Sequence, residues 1–193
     1  IGHYENAYFD WVIIVFMFLG GMTFMLFYHM MKGNWQALKI NTELRWYVGF
    51  LVVFCGVVSW ILWKDNTYDS LADAIRFATF QIMSILTTTG FTTADYEQWP
   101  QAAQMFLYAV CFIGACAGST TSGIKIVHYV VLCKFMAAAI KKIFFQPMSI
   151  ISVRLNQRPV DDTIIYLSVC YFIVNIFMIL AGGCVMVLTD DLD

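Results

Sequence analysis

The sequence has few charged residues. Only 12% of its 193 residues are Asp, Glu, Lys or Arg, whereas 61% are hydrophobic and 17% are aromatic. Soluble domains usually carry about 25% charged residues. This shortage of charge excludes an ordinary soluble domain. Together with a mean hydropathy of +0.72, it indicates an integral membrane protein.

Patterns typical of several other chemistries are also missing. The six cysteines lie in or beside apolar runs and form no CxxC pair. We therefore interpret them as small buried hydrophobic residues, not as a disulfide framework or a metal site. No basic run is interleaved with aromatic residues, so nucleic-acid binding is not expected. The chain lacks an initiator Met and the basic region of a signal peptide, and it stops just after an apolar run. We expect it to be a piece of a longer polypeptide.

Three apolar segments are long enough to cross a membrane, which takes about 20 residues in a helix. Residues 11–31 form the first, and residues 46–63 form the second. The Gly pair at the centre of the first would either bend it or let a neighbouring helix approach closely. Trp and Tyr lie at both ends of the second segment, as is typical of membrane–water interfaces. A polar connector, 32–45, separates these two, and residues 163–188 form the last span.

Residues 69–89 follow a different pattern. Ser70 can cap a helix, and Asp73 lies in its first turn, where an acidic group is favourable. The helix that follows carries Arg76 and Gln81, so it would be a poor lipid-facing span. We predict a helix over residues 70–86 that enters the membrane part of the way and turns back at residues 87–93.

Residues 101–145 form an apolar stretch too long for one crossing. Its middle, residues 114–123, contains three glycines and four consecutive hydroxyl residues, a composition that disfavours a helix. We predict an outer half at 101–113, an intramembrane loop, and an inner half at about 124–145 that continues beyond the bilayer.

The basic residues support this topology. Nine of the eleven Lys and Arg residues lie on one side if residues 32–45 and 125–162 face the cytoplasm, which is the bias expected of membrane proteins. Lys64 and Arg76 remain outside. The alternation holds only if residues 64–100 enter and leave the membrane by the same outer face.

The segment around Gly90 can bind a cation. A dehydrated cation needs oxygen ligands, and backbone carbonyls can supply them. The candidate carbonyls belong to Thr88, Thr89, Gly90, Phe91 and Thr92, and we call residues 88–92 the filter segment. Gly90 can adopt a positive φ at little cost, which would let successive carbonyls face one side.

Two further features fit a cation path here. The negative end of the dipole of helix 70–86 would point toward the filter segment, and Asp95 and Glu97 would raise the local cation concentration. A helix C-cap followed by a surface turn is the alternative interpretation.

The order of the elements, the run at residues 87–93 and the broken span at residues 114–125 closely resemble the Trk/Ktr/HKT superfamily of potassium transporters. The resemblance is strongest to the bacterial TrkH/TrkG type. Such proteins resemble a potassium channel folded from one chain, with four span–pore-loop–span repeats around one pore.

The resemblance implies an all-α polytopic membrane fold with these boundaries. Residues 1–43 would hold the second span of repeat two and a cytoplasmic connector, and residues 44–145 all of repeat three. A cytoplasmic linker, 146–160, and the first span of repeat four, 161–193, would follow.

The resemblance also implies function. Potassium would be the transported and filter-bound ion, with symport and no organic cofactor, and Gly90 matches the single glycine of the family's filter. A gate would lie under the filter at residues 114–123, which we call the gate loop. Its candidate residues, with the lysine that follows it, are Gly114, Gly118, Ser119, Thr120, Thr121, Ser122, Gly123 and Lys125.

The cationic group of Lys125 allows two interpretations. An intramembrane cation is a functional candidate by default, here at the cytosolic end of the ion path. The alternative is a lysine that extends to the inner membrane interface.

The expected partners are the other three filter loops of the same chain, the lipid bilayer and a second copy in a homodimer. The resemblance adds a cytoplasmic nucleotide-binding regulatory subunit, which would dock on the basic inner face. The expected location is the inner (plasma) membrane, in several passes.

Three other functions are alternatives for this sequence. A homotetrameric two-span cation channel would need an unbroken inner helix. An intramembrane enzyme using Cys111, Cys116 or His128 would lack a paired nucleophile and base or a metal-ligand cluster. A non-conducting scaffold or dimerisation fragment could use the paired glycines 20–21 and 182–183 for helix contacts.

Overall fold

The computed structural model describes residues 7–144, 154–155, 158–159 and 161–190. The described part is almost entirely helical, with helices α1 (Ala7–Gly20), α2 (Phe24–Met31), α3 (Trp35–Ile40), α4 (Thr42–Lys64), α5 (Leu71–Leu86), α6 (Gln101–Cys111), α7 (Ile126–Phe144) and α8 (Asp162–Asp190). A 3₁₀ turn spans Tyr96–Gln98. Strands β1 (Arg154–Leu155) and β2 (Arg158–Pro159) pair antiparallel. Two compact units, Ile1–Ile126 and Val127–Asp193, are described separately below.

The expected all-α membrane fold is confirmed. Among the described residues, Thr42–Lys64 and Thr163–Thr189 are each long and apolar enough to cross a membrane, and α1 and α2 together would make a third crossing. Asn41 begins α4, since its side chain accepts a hydrogen bond from Leu44 N at 2.9 Å. Tyr47, Leu51, Val58 and Leu62 form the buried face of α4, which packs against α5 and α6.

The apolar segment at residues 11–31 is bent at its Gly pair, which is one of the two roles that the sequence left open for that pair. The chain bends by 103° between α1 and α2. At the bend, Gly21 lies so close to Tyr47 that an added Cβ would be 2.3 Å from the phenol oxygen. The bend therefore depends on a residue of α4, not on the local sequence alone. The connector expected at 32–45 is also largely helical, because it contains α3 and the first turn of α4.

The helix predicted over residues 70–86 begins and ends close to where the sequence predicted. Ser70 Oγ accepts a hydrogen bond from Ala72 N at 3.2 Å, and the helix ends at Leu86. Most of its C-terminal half is buried. Arg76 pairs with Asp73 at 3.0 Å and with Asp10 of α1 at 3.6 Å. The charge that made this segment a poor lipid-facing span is thus balanced within the first unit.

The predicted break in residues 101–145 is confirmed. Helix α6 ends at Cys111 and α7 begins at Ile126, so the irregular stretch is slightly longer than expected. Most of residues 146–162 lie outside the described residues. The interpretation of the cysteines as buried is wrong for this chain, in which only Cys116 is fully buried. The other five lie on faces that the described chain covers partly or not at all.

In the second unit, α7 and α8 pack through Val131, Ile165 and Ala138. His128 Nδ1 lies 3.2 Å from Ser168 Oγ, and its ring is 4.6 Å from the centroid of Tyr171. This histidine is therefore packed between the two helices. Most of α8 is exposed, which suits a helix surrounded by lipid or by further helices.

Candidate functional site

Helix α5 ends in a hydrogen-bonded turn that leads into the filter segment. Thr88 N donates to Ile85 O at 3.0 Å, and Thr89 N donates to Ser84 O at 2.9 Å. This pair of bonds is the Schellman motif, which usually places Gly at the left-handed position. Here that position is Thr88, with φ +53°. A β-branched residue in this conformation is unusual and costs about 1–3 kcal/mol, which the surrounding structure must offset.

The positive φ expected at Gly90 is present, at +76°. A Cβ built on Gly90 would meet no atom within 4 Å. The glycine is therefore required by backbone conformation and not by lack of space. With Thr88, the filter segment contains two left-handed residues separated by one residue.

The carbonyl oxygens of the filter segment are largely available. Among the described residues, no hydrogen bond reaches the carbonyls of Thr88, Thr89, Gly90 or Thr92. The Phe91 carbonyl accepts one hydrogen bond, from Ser84 Oγ at 2.6 Å. Residues 88–92 are all exposed in this chain. The arrangement can supply oxygen ligands to a cation, but this chain alone does not surround one.

The acidic residues beyond the filter segment are used locally. Asp95 Oδ1 accepts from Glu97 N at 3.2 Å, and Asp95 Oδ2 accepts from Gln98 Nε2 at 2.9 Å. No group of three or more His, Cys, Asp or Glu residues in the described chain could hold a metal ion. The backbone carbonyls therefore remain the candidate cation ligands.

The gate loop is closed at its base by backbone hydrogen bonds. Gly114 N donates to Ile124 O at 2.8 Å, and Ile126 N donates to Ala115 O at 3.2 Å. The two ends of the loop run so close that a Cβ on Gly114 would lie 2.5 Å from Ser122 O. Gly118 and Gly123 have φ of +73° and +85°. Its three glycines thus make this compact loop possible.

The break between α1 and α2 binds the gate loop directly. Cys116 N donates to Gly21 O at 3.1 Å, and Thr23 Oγ1 donates to Ala117 O at 2.7 Å. Thr120 Oγ1 lies 3.5 Å from Gly20 O. Irregular backbone at membrane depth must have its polar groups satisfied by protein or water. Here the two irregular segments form hydrogen bonds to each other and so satisfy part of each other's backbone polar groups.

Two charged side chains also hold the gate loop. Glu43 Oε1, in the first turn of α4, accepts a hydrogen bond from Ala117 N. Lys125 Nζ donates to Thr121 O and lies 3.0 Å from Thr121 Oγ1 and 3.4 Å from Ser119 Oγ. The lysine therefore folds back onto the loop that precedes it.

The gate loop and the filter segment are in contact. Ser122 N donates to Thr88 Oγ1 at 3.2 Å. Both residues lie in segments that the sequence singles out, but no sequence pattern predicted this bond. Glu43, Thr23 and Ser84 were also missed. Each of these residues has an ordinary local explanation. Glu43 is an acidic residue in the first turn of a helix, Thr23 follows a Gly pair, and Ser84 is a serine within a helix. No local signal therefore distinguished them.

The chain is similar to known proteins over most or all of its length. A family model for TrkH, described as a cation transport protein, matches residues 1–193. The Trk system potassium uptake protein TrkH of Escherichia coli (strain K12) is 31% identical across 95% of this chain and 39% of its own length. The TrkH of Salmonella typhimurium is 28% identical over the same shares. TrkG of E. coli (strain K12) is 30% identical across 85% of this chain and 34% of its length.

The fold matches a solved structure. The crystal structure of the potassium transporter TrkH from Vibrio parahaemolyticus aligns with a TM-score of 0.82 and 26% sequence identity, across 89% of this chain and 37% of that one. The chain thus spans no more than about 39% of the length of these relatives.

Proposed function

Because the chain belongs to the TrkH family of cation transport proteins, we propose that it is part of a potassium-uptake transporter and supplies one of four filter loops and a gate. The three relatives compared above are named potassium uptake proteins. The observation that carries the proposal is the set of four carbonyls in the filter segment that accept no hydrogen bond among the described residues.

The filter segment binds potassium through its backbone. Carbonyl oxygens replace the water that the ion loses on entry, and the C-terminus of α5, the negative end of its dipole, lies directly before them. One repeat supplies only part of the ligand set. The exposed face of residues 88–92 is therefore the side on which three further filter loops of the same polypeptide would complete the site.

The gate loop acts beneath the filter segment. Its contact with Thr88 supports a position directly next to the ion path. Glu43 and Lys125, with the bend at Gly21–Thr23, hold it in the observed conformation. Opening would require the loop to leave at least part of this network.

The remaining assignments follow from family membership and charge. Residues 44–145 form repeat three, with 1–43, 146–160 and 161–193 assigned as in the sequence analysis. Residues 32–45 and 125–162 face the cytoplasm of a cell whose inner membrane holds the transporter, and residues 64–100 face the periplasm. The transporter forms a homodimer, and a nucleotide-binding regulatory subunit docks on the basic inner face. The broken α6–α7 segment is evidence against a two-span channel.

Replacement of Gly90 by Ser in the full-length transporter tests the filter. A serine has room at this position, but the φ of +76° is costly for a residue with a Cβ, so the carbonyls should shift. We expect weaker discrimination of potassium from sodium in competition uptake. The control is Gly56→Ser in α4, where an added Cβ also meets nothing. An unchanged potassium-to-sodium ratio in the Gly90 variant would refute the filter assignment.

A further inference from the structure

A pocket of about 190 Å³ lies behind the filter segment. Its walls come from the buried half of α5, from the filter segment and from α6, and include Gln81, Ser84, Phe91, Thr92, Gln104 and Tyr108. None of its lining residues is charged. The polar groups are amides and hydroxyls, which both donate and accept hydrogen bonds. Such a lining suits water or another small neutral polar molecule.

Ser84 links this pocket to the filter backbone. The side chain is almost completely buried, with 1% of the residue exposed. Its hydroxyl donates to Phe91 O at 2.6 Å, which is the one hydrogen bond that a filter carbonyl accepts among the described residues. The bond connects the last turn of α5 to the residue that follows Gly90. It therefore restrains the backbone of the filter segment at Phe91.

Gln81 lies one helical turn before Ser84 and lines the same pocket. Only 4% of the residue is exposed, and its side chain borders the pocket. The pocket is large enough for water, since one molecule needs about 10–15 Å³. Water in the pocket can hydrogen-bond to the amide.

We propose that Ser84 and Gln81 form a polar support behind the filter segment, in which Ser84 holds the Phe91 carbonyl directly and Gln81 acts through water in the pocket. Both are positioning residues, because neither would contact the ion. They set how rigidly the filter segment presents its oxygens, and so how well potassium is distinguished from sodium. The inference rests on the proposed function of the filter segment.

The test compares Ser84→Ala, Ser84→Cys and Ser84→Thr in the full-length transporter. Cysteine keeps the size of serine but is a weak donor, whereas threonine keeps the hydroxyl and can extend its methyl group into the pocket. The readout is the potassium-to-sodium ratio in competition uptake. The amount of each variant in the membrane is measured in parallel. Ser59→Ala is the matched control, because Ser59 is also a buried helical serine whose hydroxyl has no hydrogen-bond partner in the described chain.

We expect the Ala and Cys variants to lose discrimination by about two- to tenfold, the equivalent of one neutral hydrogen bond. The Thr variant and the Ser59 control should keep the wild-type ratio. Gln81→Leu, which removes the amide without loss of volume, should also lower the ratio. If Ala and Cys variants that reach the membrane keep the wild-type ratio, the role of Ser84 is refuted, and the same result for Gln81→Leu refutes the role of Gln81.

The Gly90→Ser variant separates this inference from the proposed function. If that variant lowers the ratio while the Ser84 and Gln81 variants do not, the filter assignment stands and the support behind it is wrong. If none of these variants changes the ratio, both ideas fail.

Discussion

Removal of the Glu43 side chain should release the gate loop. In the structure, Glu43 Oε1 accepts a hydrogen bond from Ala117 N at the middle of the loop, and the residue is only partly buried. A hydrogen bond to a charged group contributes about 1.5–3 kcal/mol, and partial exposure favours the lower end of this range. A loss of about 1.5 kcal/mol would raise the population of the displaced loop about tenfold.

The assay is passive flux of potassium or rubidium into vesicles that contain the full-length transporter without any regulatory partner. Glu43→Ala should increase this leak by up to about tenfold, provided that the displaced loop is the conducting form. Glu43→Gln should have a smaller effect, because a carboxamide oxygen can still accept from Ala117 N but without the charge. The graded order distinguishes the loss of this bond from a general loss of stability.

The control for this experiment is Asp65→Ala, which removes an exposed carboxylate at the other end of α4. Its leak should equal that of the wild type. The reasoning is refuted if Glu43→Ala, present in the membrane at wild-type amounts, leaks no more than Asp65→Ala.

Three other changes test the same region. Deletion of residues 115–122 should raise leak flux in vesicles, and flat flux in a variant that inserts into the membrane would contradict the gate. Gly114→Ala should lower thermal stability in detergent and raise leak, since its Cβ would lie 2.5 Å from Ser122 O; equal melting temperatures would show that the loop can adjust. Thr88→Val keeps the side-chain shape but loses the hydroxyl that accepts from Ser122 N. The Thr88→Val variant should raise the leak about two- to tenfold, because it loses one neutral hydrogen bond. A leak equal to that of the wild type would mean that this contact does not hold the loop.

The sequence predicted those parts of the fold that local chemistry determines. The ends of α5 follow from the capping serine, from Asp73 and from the hydroxyl-rich run after Leu86. The break between α6 and α7 follows from three glycines in ten residues. In each case the signal lies within the segment that it describes, so a single sequence is sufficient.

The features that the sequence did not predict depend on distant partners. A Gly pair inside an apolar run is equally compatible with close helix packing and with a bend. The 103° bend at Gly21–Thr23 is defined by Tyr47 and by the gate loop, which are far away in sequence. Pairing of Asp10 with Arg76 likewise needs the packing of α1 on α5.

The candidate site shows the same division. The positive φ of Gly90 was predicted because glycine is the residue that adopts it easily. The positive φ of Thr88 could not be predicted, since β-branched residues disfavour it. The bond from Ser84 to Phe91 spans seven residues across the turn, so it becomes visible only once the backbone path between them is known.

The mutual dependence of the α1–α2 bend and the gate loop has a consequence for biosynthesis. Thr23 and its acceptor Ala117 are 94 residues apart, so a ribosome synthesises the residues of the bend long before the loop exists. A backbone break in hydrocarbon is costly until its amides and carbonyls are bonded. Residues 7–31 should therefore enter the bilayer as a continuous helix and adopt their final angle only after α6 and the gate loop have been made. Nascent chains arrested before residue 117 should therefore retain the continuous helix.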